Sequence, residues 1–348
     1  MADSGSPDRQ IEFAQALAVV QEHLDQPVDA AHWHRRAADL ALSHGDVPRA
    51  AQCVLNLALG HRDAGRLDLA LTAVEEAQRL LTSLPEGEIP YSSLDTNFGL
   101  LLRDLGRFGE SIEWLSRSIE RGRVHMPGWV ANFHAHRAQT WLHLGQFAQA
   151  KQDLDAAAAI RAPQLARSRC DLVRALMLSM RGLDASTVLA SAEAHLGTGA
   201  RALMRHRLAL ARCVVLEPAE ALATAGEVLD AATAANRPGL AAAARARMCQ
   251  AALKLGHASE AARHARHLAA LDAHTGSDDL YRGEIWLTAV RALMPVDPGQ
   301  AQTLLLAAVQ WVRERAAHHV PESARDSFLN RNPVNRDLLA LAARLKAR

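Results

Sequence analysis

Apolar residues recur at intervals of three and four positions along most of the chain, the spacing that places them on one face of an α-helix. Long segments in which apolar and polar residues alternate, as they do in strands, are absent from the sequence. The pattern therefore predicts an all-α protein. The predicted helices lie at about residues 11–24, 30–44, 48–63, 67–82, 92–105, 109–121, 128–144, 147–160, 164–181, 185–195, 199–215, 218–234, 238–255, 258–272, 278–292 and 298–319.

A short motif marks the end of several of these helices. An apolar helix runs into a Gly, four variable residues follow, and a small residue begins the next apolar helix. Gly is the residue that most often closes a helix in the left-handed conformation. Such recurrence indicates an array of helical hairpins, because one hairpin cannot bury its apolar face alone. The motif is found at His44–Ala50, Ala64–Ala70, Leu105–Ser111, Leu144–Ala150 and Leu255–Ala261.

The residues around this motif resemble the tetratricopeptide repeat, best from about residue 31 to 160 and again from 240 to 272. Ala58 and Gly99 match the small residues at which the two helices of a hairpin cross, because only a small side chain lets two helices approach closely. The small residues that open second helices are Ala70, Ser111, Ala150 and Ala261. The resemblance implies a right-handed superhelical solenoid of hairpins with a C-terminal capping helix.

Charge and composition narrow the function classes. Lys and Arg number 39 against 38 acidic residues, so no global field draws the chain to nucleic acid. The first ten residues lack the pattern of a secretory signal, and no uncharged run approaches the length of a membrane span. We therefore expect a cytoplasmic protein that binds neither nucleic acid nor membrane. The four cysteines are scattered in apolar helical segments, which predicts buried, reduced thiols.

Motifs that carry chemistry are missing from the sequence. The nearest approach to a phosphate-binding loop, Gly60–Gly65, is followed by Arg66 and Leu67 rather than by Lys and Ser or Thr. Among the histidines, His257, His264 and His267 fall near one helical face, but the neighbouring arginines would oppose a metal dication. A solvated polar face is the interpretation favoured for them. We expect no enzyme activity, no cofactor and no metal site.

A binding signal comes from equivalent positions in the first helices of the repeats, which line the concave groove in the tetratricopeptide family. Asn56 with Arg62, and Asn97 with Arg103, precede two turn glycines at the same spacing. An Asn can bond a peptide backbone and an Arg can bind a carboxylate. Arg35, Gln139 and His143 are expected to extend the same groove. The alternative is that these residues only stabilise a solvated helix end.

The C-terminal segment departs from the hairpin pattern. A polar turn is predicted at Asn330–Asn335 and a final amphipathic helix at Asp337–Leu345. The run from Val320 to Ala342 resembles the extreme C-terminus of bacterial regulators in which a tetratricopeptide sensor arm follows a signal-transducing ATPase. The resemblance implies a free-standing arm or one that acts with a separate regulator. The expected organisation is a flexible tail at 1–10, a repeat array at 11–320 and a cap at 321–348.

Together these features predict a non-catalytic module that binds a protein or peptide partner in its groove, in bacterial regulation or signalling. A second hypothesis is the sensing of a small anionic molecule in the irregular middle of the chain. It rests on basic residues along one predicted helix, which are Arg201, Arg205, His206 and Arg212.

Overall fold

A computed structural model describes residues 6–82, 91–197, 200–272, 275–276 and 280–346, without the side chains of residues 91–93 and 346. These ranges form helices, and β-pairing within them is confined to one isolated bridge between Arg66 and Thr275. The helices are α1 (Pro7–His23), α2 (Pro27–Ser43), α3 (Val47–Asp63), α4 (Leu67–Leu81), α5 (Tyr91–Asp104), α6 (Phe108–His125), α7 (Val130–His143), α8 (Phe147–Ala158), α9 (Gln164–Met180), α10 (Ser186–Leu196), α11 (Ala202–Arg212), α12 (Pro218–Ala234), α13 (Pro238–Lys254), α14 (Ala258–Ala269), α15 (Arg282–Leu293), α16 (Pro298–His318) and α17 (Pro333–Lys346).

Consecutive helices pack as hairpins, and the predicted all-α solenoid is confirmed. The ends of the chain differ from the prediction in detail. Helix α1 begins at Pro7, so residues 7–10 of the expected flexible tail are helical; residues 1–5 lie outside the described ranges. Helix α17 begins at Pro333, so the polar turn predicted at Asn330–Asn335 is shorter. Proline is favoured in the first turn of a helix because its missing N–H has no helical partner there.

The small residues at the helix crossings lie where the repeat pattern predicts. Ala58 is buried, and a Cβ on Gly99 would lie 2.6 Å from Cγ of Leu115 on the partner helix. The Ser111 hydroxyl donates a hydrogen bond to the Gly99 carbonyl over 2.7 Å. A larger side chain at Gly99 would force α5 and α6 apart.

The five motif glycines adopt the left-handed conformation, with φ between 69° and 80°. The irregular middle closes its helices in the same way with residues outside the motif. Gly182 follows α9 with φ 69°, and Asn236 follows α12 with φ 51°. Asn can replace Gly there because it tolerates the left-handed region better than most other residues do. The middle therefore continues the array of hairpins.

The superhelix brings early turns against late helices along a contact that we call the seam. Gly276 N–H donates a 2.8 Å hydrogen bond to the Gly65 carbonyl, and a Cβ on Gly65 would lie 2.6 Å from the Gly239 nitrogen. The Gly109 N–H bonds the His319 carbonyl over 2.8 Å. Because Gly65 and Gly109 belong to the first hairpins, the seam joins the two halves of the array.

The C-terminal segment completes this seam. The Ser327 hydroxyl donates to the Leu144 carbonyl and the Asn332 amide donates to the His143 carbonyl, each over 2.8 Å. A π-turn at Ser327–Arg331 leads into α17, which packs on α15 and α16 as a cap. The C-terminal segment thus contacts the middle of the array.

Burial of the cysteines is as predicted: all four are free thiols in the interior. Burial raises the pKa of Cys170 to about 11 and that of Cys249 to about 12. A raised pKa lowers the fraction of each thiol that is present as the nucleophilic thiolate at neutral pH. Within the described ranges, no helix combines the length and the apolar character that crossing a membrane requires.

Candidate functional site

The inner surface of the superhelix carries a continuous groove lined by the first helices of successive hairpins. A cavity of about 320 Å³, the amide pocket, lies between α3, α5, α7, α9 and α11. A second cavity of about 680 Å³, the aliphatic pocket, lies between α9, α11, α13, α15 and α17. A neck of about 110 Å³ shares residues with both cavities, Leu172 among them. The three cavities therefore adjoin one another along the inside of the array.

Carboxamide side chains from three successive inner helices face the amide pocket. They are Asn56 on α3, Asn97 on α5 and Asn132 on α7, and each is half-buried. Among the described contacts, Asn56 accepts from Gln52 over 3.2 Å, Asn97 donates to the Leu55 carbonyl over 3.4 Å, and the Asn132 amide nitrogen lies 3.2 Å from Nε2 of His136. Each carboxamide carries both donors and an acceptor, so each retains hydrogen-bonding capacity toward the pocket.

The floor of the amide pocket is a network of buried ion pairs. Arg62 bonds Asp104 over 2.8 Å and Asp63 over 3.2 Å, and Arg207 from α11 bonds the same Asp63 over 3.0 Å. Arg103 bonds Asp104 over 3.0 Å with a side chain that is 0% exposed. These pairs link α3 and α5 to α11 across the groove, so they fix the separation of its walls.

The charged residues that line the amide pocket are mostly basic. The lining includes four arginines and one carboxylate, that of Asp63. Two further carboxylates lie behind the lining, because Asp104 pairs with Arg62 and Glu22 pairs with Arg201 over 2.7 Å. The pocket surface therefore favours neutral or acidic groups over basic ones.

The structure brings together only part of the predicted groove set. Asn56, Arg62 and Asn97 line the amide pocket, and Gln139 lines the neck. Arg103 lies beneath the groove and donates to Gln139 over 2.8 Å.

Two predicted residues lie elsewhere. Arg35 forms a two-bond ion pair with Glu76, at 2.7 Å for each bond, and borders a separate depression beside His61. Its helix, α2, packs outside the groove-lining set. His143 is buried against Phe108 and Tyr281, with ring centroids 5.9 and 5.0 Å away. Neither residue is among those that line the three cavities of the groove.

The groove residues that the sequence analysis missed include Asn132, His136, Arg169 and Arg207. His136 could have been found, because it precedes Gly145 by the same nine positions that separate Asn56 and Asn97 from their glycines. Arg169 and Arg207 come from helices that lack the motif, so no register marked them as inward-facing.

The basic residues of the small-anion hypothesis do not converge on one empty site. Arg201 pairs with Glu22, and Arg212 pairs with Glu193 over 3.1 Å. Arg205 donates to the Ala200 carbonyl at the surface. Only Arg201 among these three lines the amide pocket.

The predicted solvated histidine face is wrong at one position. His264 is buried on α14, and neither ring nitrogen has a hydrogen-bond partner within the described ranges. Burial lowers the pKa of His264, and the charge of Arg263 adds to that shift. In the part of the chain that the structure describes, no three His, Cys, Asp or Glu side chains converge as metal ligands would.

Comparison with known proteins identifies the fold but no family. No protein-family model matches the chain, and no curated protein matches it. A Rap protein solved in complex with competence and sporulation factor aligns with a TM-score of 0.52 at 13% identity, covering 98% of each chain. Yeast Tom70 aligns with a TM-score of 0.36 at 12% identity, covering 98% of this chain and 86% of Tom70. The likeness to the Rap protein shows a shared helical-repeat fold.

Proposed function

We propose that this protein is a non-catalytic module that binds an extended peptide segment of a partner along its inner groove. The observation that carries the proposal is the set of carboxamides from α3, α5 and α7 in the amide pocket. An extended peptide presents a backbone N–H and C=O at every residue, and an Asn side chain can satisfy both kinds of group. Successive inner helices thus offer successive backbone contacts.

The shape of the groove is also fixed before a ligand binds. The ion pairs of Arg62 and Arg207 with Asp63 join its two walls, and Arg103 holds Gln139 at the neck. A site that is already ordered loses less conformational entropy on binding. The contact residues in this proposal are Asn56, Asn97 and Gln139, while Arg62 and Arg103 act mainly by positioning the walls.

The regulatory part of the proposal rests on two supports. The C-terminal run from Val320 to Ala342 resembles the end of bacterial sensor arms, and the Rap protein that shares the fold was solved with a bound factor. We propose that the chain acts in bacterial regulation through a separate protein, in the cytoplasm and without direct nucleic-acid contact. Binding of a peptide to the groove would be its input.

Direct sensing of a small anion is the second candidate. The arginine-rich lining of the amide pocket favours it, since Arg62, Arg169, Arg201 and Arg207 all border that cavity. The carboxamides favour the peptide, because they match backbone groups that a small anion lacks. A peptide with acidic side chains would use both features.

Selection from a random displayed peptide library against the full-length chain tests the proposal. An enriched peptide, made synthetically with a fluorophore, is then titrated by fluorescence anisotropy against wild type, Asn56→Ala and Asn97→Ala. Loss of one net hydrogen bond of about 1 kcal/mol weakens binding about fivefold. Charge reversal at Arg62 or Arg103 is unsuitable here, because both side chains are buried in the ion-pair network.

Asn330→Ala is the matched control, since Asn330 is exposed and bonds Asp326 outside the groove. We expect its affinity to equal that of wild type. Enrichment of no peptide above a blank surface, or affinities unchanged in both groove variants, would remove the proposal. Binding of inorganic phosphate or citrate, measured by calorimetry, by a chain that enriches no peptide would support the small-anion candidate instead.

A further inference from the structure

The aliphatic pocket differs in chemistry from the amide pocket. Its wall carries large aliphatic side chains, and two of them stand well exposed: Leu183 at 48% and Val215 at 37%. Leu172, Leu176 and Val214 are half-buried along the same wall. A ligand that covers exposed aliphatic surface removes it from water, which is favourable. This part of the groove therefore favours the binding of apolar groups.

The polar residues of the aliphatic pocket are already paired with one another. Arg247 bonds Glu284 over 2.6 Å, and Gln250 donates to Glu284 over 3.1 Å and to Thr288 over 3.0 Å. At the mouth, Arg291 bonds Asp337 over 2.7 Å, although both of these side chains are partly exposed. A charged ligand would have to compete with these pairs, whereas an apolar side chain leaves them intact.

The two pockets adjoin each other at the neck. The neck is bordered by Arg169 and Arg207 of the amide pocket and by Leu176 and Arg247 of the aliphatic pocket. Leu172 borders all three cavities. An extended segment that lies in the first pocket would therefore have its end next to the second.

We propose that the aliphatic pocket is the specificity site for the same peptide, and that it takes two or more large aliphatic or aromatic side chains at one end of the bound segment. The proposal rests on the peptide-binding function above. The partner sequence is then bipartite. A polar or acidic stretch lies against Asn56, Asn97 and the arginines, and an apolar end lies against Leu183 and Val215.

The displayed library tests this inference directly when it is selected against two proteins in parallel. One is wild type, and the other is the double variant Leu183→Asp, Val215→Asp. Both positions are exposed, so the substitutions leave the core intact. Leu306→Asp is the matched control, because Leu306 is 51% exposed on α16 and borders none of the three groove cavities. Circular dichroism on all variants confirms that they remain folded.

We expect peptides selected by wild type and by Leu306→Asp to carry large apolar residues at one end, and those selected by the double variant to lack them. A wild-type-selected peptide should bind the double variant at least tenfold more weakly. The same peptide shortened by its apolar end should bind wild type and double variant equally.

Several outcomes overturn the inference, and they separate it from the proposed function. Selected peptides that are polar throughout, or that bind the double variant as tightly as wild type, remove the specificity site but leave peptide binding standing. Enrichment of no peptide by wild type removes both. Affinities lowered by Asp at Leu183 and Val215 but unchanged by Asn97→Ala would instead confine binding to the aliphatic pocket and remove the bipartite reading.

Discussion

Two groups of turn glycines share one sequence motif but lie in different surroundings. Gly45 and Gly256 have left-handed backbones, and a Cβ added to either would meet no described atom within 4 Å. Gly65, Gly106 and Gly145 have the same backbone, but a Cβ on each would press against a later part of the chain. The glycine thus ends a helix at every copy of the motif. At three copies its lack of a side chain also allows the close contacts of the seam.

The seam matters because the groove lies between the parts that it joins. The amide residues come from α3, α5 and α7, while the aliphatic wall comes from α9 onward. The buried core reflects the same closure, since Phe108 and Leu144 pack in one cluster with Val312 and Phe328. Substitutions at the seam should therefore alter both the stability and the shape of the groove. Substitutions at the turns of Gly45 and Gly256, which lie outside the seam, should have much smaller effects.

Gly145→Ala is expected to have the largest effect. Its Cβ would lie 2.8 Å from the Asn332 backbone nitrogen, and backbone cannot move aside as a side chain can. Crowding adds to the cost of a left-handed Ala, so we expect a loss of about 3 kcal/mol in the free energy of unfolding. Urea denaturation measures it. Gly256→Ala is the control and should lose about 1 kcal/mol, from the backbone alone; equal losses would contradict the distinction.

Asp25→Asn should give the next largest effect, because it breaks an ion pair of the seam. Arg237 bonds Asp25 over 2.7 Å with side chains that are 6% and 16% exposed. Asparagine tolerates the φ of 59° that Asp25 adopts, so only the charge is lost. Arg237 would keep its 3.3 Å hydrogen bond to the Asp63 carbonyl but lose its carboxylate partner, which should reduce the free energy of unfolding by about 2 kcal/mol.

The comparison for this change is Asp326→Asn. Asp326 pairs with Arg331 over 3.9 Å, and both side chains are at least 70% exposed. An exposed pair contributes at most about 1 kcal/mol, and we expect a loss near the lower end of that range. A loss at Asp326 as large as that at Asp25 would show that the seam pair has no special role.

The helical array was predictable from sequence, whereas the groove was predictable only in part. The three-to-four spacing and the left-handed glycines are local signals, so helix ends and hairpins followed from them. The spacing between Asn97 and Gly106 was enough to predict that Asn97 lines the groove. Arg35 and His143 lie outside the groove cavities, because Arg35 is on α2, which packs outside the groove-lining set, and His143 packs against Phe108 and Tyr281. Neither placement could be predicted from a local sequence signal, because both depend on tertiary packing.

His264→Leu should give the smallest effect. His264 lies in the hairpin of α13 and α14, whose turn glycine, Gly256, is outside the seam. Burial lowers the pKa of His264 below its ordinary 6.5, and Arg263 and Arg245 act in the same direction. The unfolded chain therefore binds a proton at a higher pH than the folded chain does. Stability is lost as pH falls through 6.5 toward the lowered folded pKa.

Leucine removes that loss and the buried ring nitrogens together. We expect the variant to gain about 1 kcal/mol in the free energy of unfolding, with a larger gain at pH 5.5 than at pH 7.5. Thermal denaturation at the two pH values measures the difference. His267→Leu, at an exposed position of the same helix, should behave as wild type at both pH values. A gain that is independent of pH would show that His264 does not titrate as described.

The most direct test of the account is to locate the bound peptide. A selected peptide carrying a benzophenone group is crosslinked to the full-length chain, and the linked residues are mapped by mass spectrometry. We predict crosslinks on the inner helices α3, α5, α7, α9 and α11, near the residues of the amide pocket. Crosslinks confined to the second helices of the hairpins, α4, α6 and α8, would contradict the account.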